Sequence, residues 1–346
     1  MPPPRPYTTR NPVVDNAIAS LVKSFGDEFD QRLLAETIVS IYRLGQDEAS
    51  TGDLKLVNTA LKELRYAFKI FRPYRHLRKV AMFGSARVSS RHPAYAMAKT
   101  FGRLMVDAGW TVITGAASGI MRAGHEGAGR IASFGLNIRL PFEQEANPVI
   151  AGDTKLVNFK YFFTRKLLFI KESHATALFP GGFGTLDEGF ESLTLVQTGK
   201  SDPRPIVFVD TPRGTFWDPM LRFFEQQLIH GGMISASDRA IYQIARSPEE
   251  AAEHVLGFYR VYHSQRYVGD YLVLRLHRAL DAASLRRLNQ EFRDILRAGT
   301  AIRQGGALPQ ESDEPKLQDL PRLILKFTRK DFGRLVGLIH RINELG

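Results

Sequence analysis

The chain contains no cysteine among its 346 residues. Disulfide bonds and thiolate metal sites are therefore excluded, and a reducing compartment is the expected environment. The sequence also lacks an apolar run long enough to span a membrane, and its first residues, M-P-P-P-R-P-Y, lack the apolar core of a signal peptide. These absences predict a cytoplasmic protein without a membrane segment.

Dense basic runs are also missing, although the net charge is +11. Basic and acidic residues number 12 and 9 in residues 1–78, 20 and 17 in residues 79–265, and 15 and 10 in residues 266–346. A nucleic-acid-binding surface usually concentrates its positive charge. Because this excess is spread evenly, small anionic molecules are the expected partners and nucleic acid is not.

Cofactor and metal motifs are absent as well. The first predicted strand ends in G-S-A-R and not in G-x-G-x-x-G, which argues against a dinucleotide-dependent oxidoreductase. Nothing marks the Schiff-base lysine of a pyridoxal phosphate decarboxylase. The nine histidines show no metal-ligand spacing, and His125 and His174 are expected to be structural. The sequence therefore predicts neither a cofactor nor a metal.

Three regions follow one another along the chain. Residues 1–78 show helical periodicity, residues 79–265 alternate between strand and helix, and residues 266–346 have a β-α-β-β-α pattern. The alternation predicts a Rossmann-like, doubly wound parallel sheet in the middle region. The last region predicts a small α+β module of ferredoxin-like or ACT-like type, which would bind an effector, pair subunits or simply complete the fold.

The stretch from Ala175 to Glu191, A-T-A-L-F-P-G-G-F-G-T-L-D-E-G-F-E, carries the strongest functional signal. An apolar strand is followed by Gly181, Gly182 and Gly184, which permit a close approach of the backbone. Thr185 then stands at the start of a helix, where free N–H groups favour an anion. The simpler interpretation is an ordinary strand-to-helix turn with a capping threonine.

Two carboxylates favour a binding site over an ordinary turn. Glu188 and Glu191 are three residues apart and share one face of the predicted helix. Two further turns lie where parallel sheets bind ligands, at the carboxyl ends of strands. They are Gly84-Ser85, and the small-residue turn that contains Gly115 and Gly119. Together these features predict a site for a phosphorylated substrate.

The motif P-G-G-F-G-T-L-D-E resembles the signature of the Lonely Guy family, Rossmann-like proteins often mislabelled as lysine decarboxylases. The resemblance extends over about residues 79–257. It implies a nucleoside 5′-monophosphate phosphoribohydrolase, with a preference for purines such as AMP. It also implies that Arg165, 23 residues before Glu188, is the catalytic arginine; the alternative is that Arg165 and Lys166 form a solvated helix face. The family usually has more glycine around Gly115 and an acid where this chain has Arg122.

The chemistry of the expected reaction assigns roles to these residues. Cleavage of an N-glycosidic bond develops positive charge on the ribose, which Glu188 would stabilise while Arg165 orients it. The phosphate would bind Gly182, Gly184 and Thr185, with Gly84 and Ser85 opposite. Glu191 would bind a ribose hydroxyl or be structural. In the loop at residues 142–157, Glu143 and Asn147 are further polar candidates.

One alternative to an enzyme remains open. A non-catalytic nucleotide-binding or carrier protein could use the same fold, but a pure binder has no reason to keep a carboxylate beside a phosphate pocket. Apolar faces on the N-terminal helices, and the pairing known in the family, predict a homodimer or a higher homo-oligomer. The C-terminal module is a possible binding site for a small-molecule effector.

Overall fold

A computed structural model describes residues 7–26, 30–139 and 145–346. The chain forms two compact units, Met1–Arg65 and Tyr66–Gly346. In the described residues, no helix has both the length and the apolar character needed to cross a membrane. The predicted domain boundaries after residues 78 and 265 stay predictions.

The N-terminal region is helical, as predicted. Its helices are α1 (Pro12–Lys23), α2 (Gln31–Gln46) and α3 (Thr51–Phe71). Asn11 starts α1, because its side chain accepts hydrogen bonds from the N–H groups of Val13 and Val14. Ile18 and Val22 of α1 form a small apolar core with Val39 of α2. The apolar side chains that recur with helical spacing in the sequence therefore pack against one another in a core, as expected for amphipathic helices.

The central region forms a seven-stranded parallel sheet. Its strands are β1 (Lys79–Phe83), β2 (Thr111–Thr114), β3 (Ser133–Ile138), β4 (Leu156–Phe159), β5 (Ala175–Leu178), β6 (Ile206–Val209) and β7 (Tyr242–Ala245). Their spatial order is β4-β3-β2-β1-β5-β6-β7, and the neighbouring strands pair in parallel. The prediction of a doubly wound sheet is confirmed. The order reverses between β1 and β5, which is where such sheets bind ligands.

Helices of this region connect the strands and cover the sheet. They are α4 (Pro93–Asp107), α5 (Ile120–Ala128), α6 (Phe162–Glu172), α7 (Phe183–Gln197), α8 (Asp218–Phe223) and α9 (Pro248–Phe258). One continuous core includes Val80 and Met82 of β1, Phe101 of α4 and Val255 of α9. Burial of these apolar side chains fixes the sheet that positions the loops at its carboxyl edge.

Residues after α9 form an antiparallel module. Its elements are β8 (Tyr262–Val268), β9 (Tyr271–Leu276), α10 (Ala282–Glu291), β10 (Arg303–Gly305), β11 (Arg322–Leu325) and α11 (Phe332–Leu345). The sheet order is β10-β11-β9-β8, and every pair in it is antiparallel. The α+β class is confirmed, and the predicted β-α-β-β-α order occurs in β9, α10, β10, β11 and α11, with β8 as an additional strand before them. A ferredoxin-like split βαβ unit would need parallel strands, which this sheet does not contain.

Helix α11 fastens this module to the parallel sheet region. The Asn343 Oδ1 atom accepts hydrogen bonds from the N–H groups of Val261 (2.7 Å) and Tyr262 (3.0 Å). The Asn343 side-chain amide donates to the carbonyl oxygen of Phe258 at 2.7 Å. Because these bonds are buried, they hold the start of β8 firmly at the end of α9.

Candidate functional site

A cavity of about 620 Å³ opens where the strand order reverses. The turns after β1, β2 and β5 surround it, together with the first turns of α6 and α7. Eight of the residues predicted from the sequence line this cavity: Gly84, Ser85, Gly115, Arg165, Gly182, Gly184, Thr185 and Glu188. The predicted residues Gly119, Gly181 and Glu191 are outside the lining. The structure thus brings together turns that are distant along the chain.

Gly181 and Gly119 hold the turns together and do not face the cavity. A Cβ atom on Gly181 would lie 2.1 Å from the Thr185 Oγ1 atom and 2.9 Å from the Ser85 backbone nitrogen. Gly119 has φ +62°, and a Cβ there would lie 2.2 Å from the Ser85 carbonyl oxygen. These glycines are therefore required for packing between turns, which differs from the substrate contact predicted for them.

Ser85 already uses its backbone in joining the turns. Its N–H donates to the Pro180 carbonyl at 3.0 Å, and its carbonyl accepts from the Ile120 N–H at 3.1 Å. The Ser85 hydroxyl oxygen accepts from the Arg87 N–H at 3.1 Å, and its proton can still be donated. A phosphate contact from the Ser85 backbone is therefore excluded in this arrangement, whereas a hydroxyl contact is available.

Gly182 and Gly184 differ from Gly181 in having open space beside them. No heavy atom of the described residues lies within 4 Å of a Cβ built on either glycine, apart from chain neighbours and local helix backbone. Helix α7 begins at Phe183, so the N–H groups of Phe183 and Gly184 have no acceptor in a preceding helical turn. These donors, at the positive end of the helix dipole, are of the kind that suits an anion, and we call this part of the cavity the anion corner.

Glu188 and Arg165 form a buried pair in the same cavity. The Arg165 Nη2 atom is 3.5 Å from Glu188 Oε1, and their side chains are 13% and 5% exposed. Within the described residues, the buried atoms Glu188 Oε2 and Arg165 Nε have no hydrogen-bond partner. Buried polar groups are normally satisfied. The pair therefore presents both an acceptor and a donor that a ligand can complete.

Burial raises the pKa of Glu188 to about 7. The positive charges of Arg165 and Lys166 oppose this shift, whereas the negative charges of Glu191 and Asp187 reinforce it. Burial also lowers the pKa of Arg165. A carboxyl group with a pKa near neutrality can accept or donate a proton under ordinary conditions, which is a property of catalytic acids and bases.

Glu191 is engaged outside the cavity. Lys166 Nζ lies 3.2 Å from Glu191 Oε2 and 2.8 Å from Asp187 Oδ1. The lysine thus joins α6 to α7 next to the buried pair of Arg165 and Glu188. Lys166 belongs to an ion-pair network, so the alternative of a merely solvated helix face does not describe it.

Some cavity residues were missed by sequence reasoning. They include Arg87, Met121, Phe169 and Phe183. Arg87 is the exposed last residue of the G-S-A-R turn. Its position close to Gly84 and Ser85 in the sequence could have identified it as a candidate. Phe183 is 92% exposed although it lies within the glycine motif. Exposure of an aromatic ring cannot be read from the sequence, so this residue could not be assigned.

The candidate Asn147 supports a turn and does not line the cavity. Its side-chain amide donates to the carbonyl oxygen of Ala116 at 2.9 Å and contacts His125 Nδ1 at 3.1 Å. Burial lowers the pKa of His125 to about 4, so the imidazole is neutral. These contacts hold Ala116 at φ +63°, a conformation that usually requires glycine. The other loop candidate, Glu143, lies outside the described residues.

Metal-binding geometry is absent from the part of the chain that the structure describes. No group of three or more His, Asp or Glu side chains there has an arrangement that could hold a metal ion. The parallel sheet, with its cavity at the point where the strand order reverses, defines a Rossmann-like fold.

Comparison with known proteins finds similarity to one family in the central region. The model described as "possible lysine decarboxylase" matches residues 114–255. Two proteins of Oryza sativa subsp. japonica are similar, and both are named probable cytokinin riboside 5′-monophosphate phosphoribohydrolase. LOGL5 is 27% identical over 169 residues, covering 47% of this chain and 65% of that protein. LOGL2 is 28% identical over 134 residues, covering 39% and 52%. Over its central region the chain is therefore similar to the Lonely Guy family.

The matches have limited extent. This chain spans between about half and two thirds of the length of these two relatives. Among solved structures, the molybdenum cofactor binding protein of Rippkaea orientalis is 18% identical, with a TM-score of 0.36. That match covers 51% of this chain and 93% of the other.

Proposed function

We propose that the chain is a nucleoside 5′-monophosphate phosphoribohydrolase, which hydrolyses the bond between base and ribose and releases ribose 5-phosphate. One observation carries the proposal: the cavity that contains an anion-binding helix end also contains a buried carboxylate with an unpartnered oxygen. Similarity to the family and the names of the two rice relatives support the same reaction class.

The phosphate end of the substrate would bind at the start of α7. The N–H groups of Phe183 and Gly184 and the hydroxyl of Thr185 supply donors there, and Arg87 adds a positive charge at the cavity wall. Glu188 follows Gly184 by four residues, which is about 6 Å along a helix. This separation resembles the span from a 5′-phosphate to the anomeric carbon, so both ends of the ribose phosphate are accommodated.

The reaction would take place at Glu188. As the C1′–N bond breaks, its electron pair passes to the base and positive charge develops on the ribose. Ionised Glu188 would stabilise this charge and accept a proton from the water whose oxygen forms the new C1′–O bond. Arg165 would hold the carboxylate and stabilise negative charge on the leaving base. The base gains a proton from the solvent or from Glu188, so the net reaction consumes one water.

The base would lie toward the exposed ring of Phe183. An exposed aromatic side chain at a cavity mouth offers a stacking surface for a planar base. Stacking alone does not distinguish one purine from another. The expectation that purine nucleotides, AMP and cytokinin riboside 5′-monophosphates among them, are substrates therefore depends on the family and the names of the relatives.

The direct test is incubation of the full-length protein with AMP, GMP, CMP and a cytokinin riboside 5′-monophosphate. Chromatography would detect the free base, and a coupled assay would detect ribose 5-phosphate. Adenosine is the matched substrate control, since it lacks only the phosphate. We expect AMP to be turned over much faster than adenosine, because binding energy from the phosphate positions the glycosidic bond.

The Glu188→Gln variant controls for a contaminating nucleosidase. It should bind AMP but release adenine about 10²–10³-fold more slowly than the unmodified chain. If none of the four nucleotides reacted, the proposed phosphoribohydrolase activity would be refuted. If AMP nevertheless bound tightly by calorimetry, the carrier or nucleotide-binding alternative would take its place.

A further inference from the structure

A second cavity, of about 460 Å³, lies at the opposite edge of the parallel sheet. Its lining includes Arg78, His174 and Arg204. Arg78 and His174 directly precede β1 and β5, and Arg204 lies two residues before β6. The antiparallel module contributes residues 262–264 from the beginning of β8. We call this cavity the basic cavity. The candidate active site is at the carboxyl ends of the same strands, so the two cavities are separate.

Positive charge dominates the lining of the basic cavity. Its cationic side chains are Arg78, Lys171, Lys200 and Arg204, whereas Asp202 is the one carboxylate among the described lining residues. Asp202 Oδ1 accepts a hydrogen bond from the Gln265 side chain at 3.0 Å, and burial raises the pKa of Asp202. Among the described cations of the lining, Lys171 is the one with an ion pair to a carboxylate, Glu172 at 2.6 Å. Arg78, Lys200 and Arg204 share the single lining carboxylate Asp202, so the lining has a net positive charge.

Arg204 is the least satisfied of these cations. It is 3% exposed, and its Nη1 atom donates to the carbonyl oxygens of Ile170 (3.0 Å) and Ser173 (3.1 Å). Its Nε and Nη2 atoms are buried and have no hydrogen-bond partner among the described residues. A buried charge with unsatisfied donors is costly in free energy. An anion in the cavity would satisfy these donors.

Two histidines in the lining have lowered pKa values, which is consistent with the positive charge around them. Burial, followed by the charges of Lys79, Arg78 and Arg204, lowers the pKa of His174 to about 3. Burial and the neighbouring Arg78 lower the pKa of His263 to about 4. His174 Nδ1 accepts a hydrogen bond from the Lys79 N–H at 3.2 Å, so its Nε2 atom carries the proton. Neutral His174 is thus a further donor at this cavity.

The position of Arg78 is fixed before any ligand binds. Its guanidinium lies 3.7 Å from the centre of the Tyr259 ring and donates to the His263 carbonyl at 3.1 Å. The Tyr259 hydroxyl in turn donates to the His174 carbonyl at 2.7 Å. Such preorganisation reduces the entropy lost on binding.

We propose that the basic cavity binds a phosphate-bearing small molecule, through a phosphate or pyrophosphate group that contacts Arg204 and Lys200. The volume lies within the range of small-molecule sites, which is roughly 300–1,000 Å³. Arginine provides several directed donors for phosphate oxygens, and the exposed Lys200 provides a charge at the rim. The ligand is either inorganic pyrophosphate or a metabolite that carries a diphosphate.

This site connects to the candidate active site through α6. Arg204 donates to the Ile170 carbonyl near the end of α6, whereas Arg165 stands in the first turn of that helix. A ligand on Arg204 therefore contacts the group that holds the helix end. Binding at the basic cavity would therefore change the orientation of Arg165. We accordingly expect the ligand to act as an effector and not as a substrate.

Calorimetry with pyrophosphate tests the proposal in the full-length chain. Gly184→Asp serves as the background, because its side chain has room and its charge blocks the anion corner of the candidate active site. In that background we expect pyrophosphate to bind, and Lys200→Glu to weaken binding at least about tenfold. Lys316→Glu is the matched control, an exposed lysine outside the lining, and should leave the affinity unchanged.

Hydrogen exchange locates the ligand independently of these variants. Pyrophosphate should slow exchange in peptides that cover residues 166–174 and 200–204. ADP added in its place distinguishes the two sources, since tighter binding of ADP would indicate a diphosphate metabolite. Absence of binding in the Gly184→Asp background would overturn the proposal. So would equal affinity in the Lys200→Glu variant, or protection confined to residues 182–188.

Discussion

Replacing Glu188 by glutamine should stabilise the protein at alkaline pH and at the same time remove the proposed activity. The pKa of Glu188 is raised from its ordinary value of 4.5 to about 7, chiefly by burial. Between these values the folded protein retains a proton that the unfolded chain releases. Stability contributed by the protonated carboxyl is therefore present at low pH and falls as the pH rises through this window.

The magnitude follows from the size of the shift. Each unit of pKa difference corresponds to about 1.36 kcal/mol, so the ionised carboxylate lowers the free energy of unfolding by about 3 kcal/mol once the pH exceeds about 7. Glutamine does not titrate, and it leaves Arg165 facing a neutral group, as the protonated acid does. From pH 5 to pH 8, the stability of the variant relative to the unmodified chain should rise by about 2–3 kcal/mol.

Urea unfolding at pH 5 and pH 8 measures this difference, with turnover of AMP followed at the same pH values. Glu191→Gln gives the baseline for the same chemical change on α7 outside the cavity. We also expect turnover by the unmodified chain to increase with pH through about 7, as Glu188 ionises. A variant whose relative stability is the same at pH 5 and pH 8 would refute the effect of burial on this carboxyl.

Other predictions concern the turns, the arginine and the assembly. Gly181→Ala should lower the melting temperature, because its Cβ meets Thr185 and Ser85 atoms, whereas Gly184→Ala should stay folded and bind AMP less tightly. Arg165→Ala should slow AMP turnover about 10²–10³-fold and move its pH dependence upward, because the positive charge beside the carboxylate is lost. Ala116→Gly should raise the free energy of unfolding by about 1 kcal/mol, since φ at this position is +63°. Sedimentation equilibrium should give a homodimer or larger, and a monomer at all concentrations would contradict that expectation.

The sequence was most informative where the site is local. The turn from Gly181 to Glu188 is contiguous, so residue spacing alone predicts a strand end, a helix start and a carboxylate one turn later. The parallel sheet was predictable for a similar reason, because its central strands are short apolar runs bounded by turns. Both features could be predicted because their signals lie within short, contiguous segments of the chain.

Prediction failed at the edges of the sheets. Strands β4 and β7 are the outermost strands of the parallel sheet, and each is only four residues long. Their sequences, L-V-N-F and Y-Q-I-A, mix polar with apolar residues because an edge strand is less enclosed. Strand β8, Y-H-S-Q-R-Y-V, has the same mixed character. Such strands are defined by their pairing, which the sequence does not display.

The roles of individual glycines also required the structure. Gly181, Gly182 and Gly184 look alike in the motif, yet among the described residues Gly181 is the one of the three with another turn packed against it. Packing among the described residues does not account for glycine at positions 182 and 184. Retention of glycine where a side chain would fit is therefore better explained by the approach of a ligand.

The proposed effector role depends on two helices that run between the cavities: α6 lines both of them, and the segment just after α7 lines the basic cavity. Helix α6 carries Arg165 at its start and Lys171 near its end. Arg165 lines the candidate active site, and Lys171 lines the basic cavity. Helix α7 carries Glu188 in its second turn, and Lys200 follows shortly after its last residue. A helix moves largely as a rigid body, so a small displacement at one end changes the position of the other. The distance from Arg165 to Glu188 is consequently the quantity that an anion in the basic cavity would be expected to adjust.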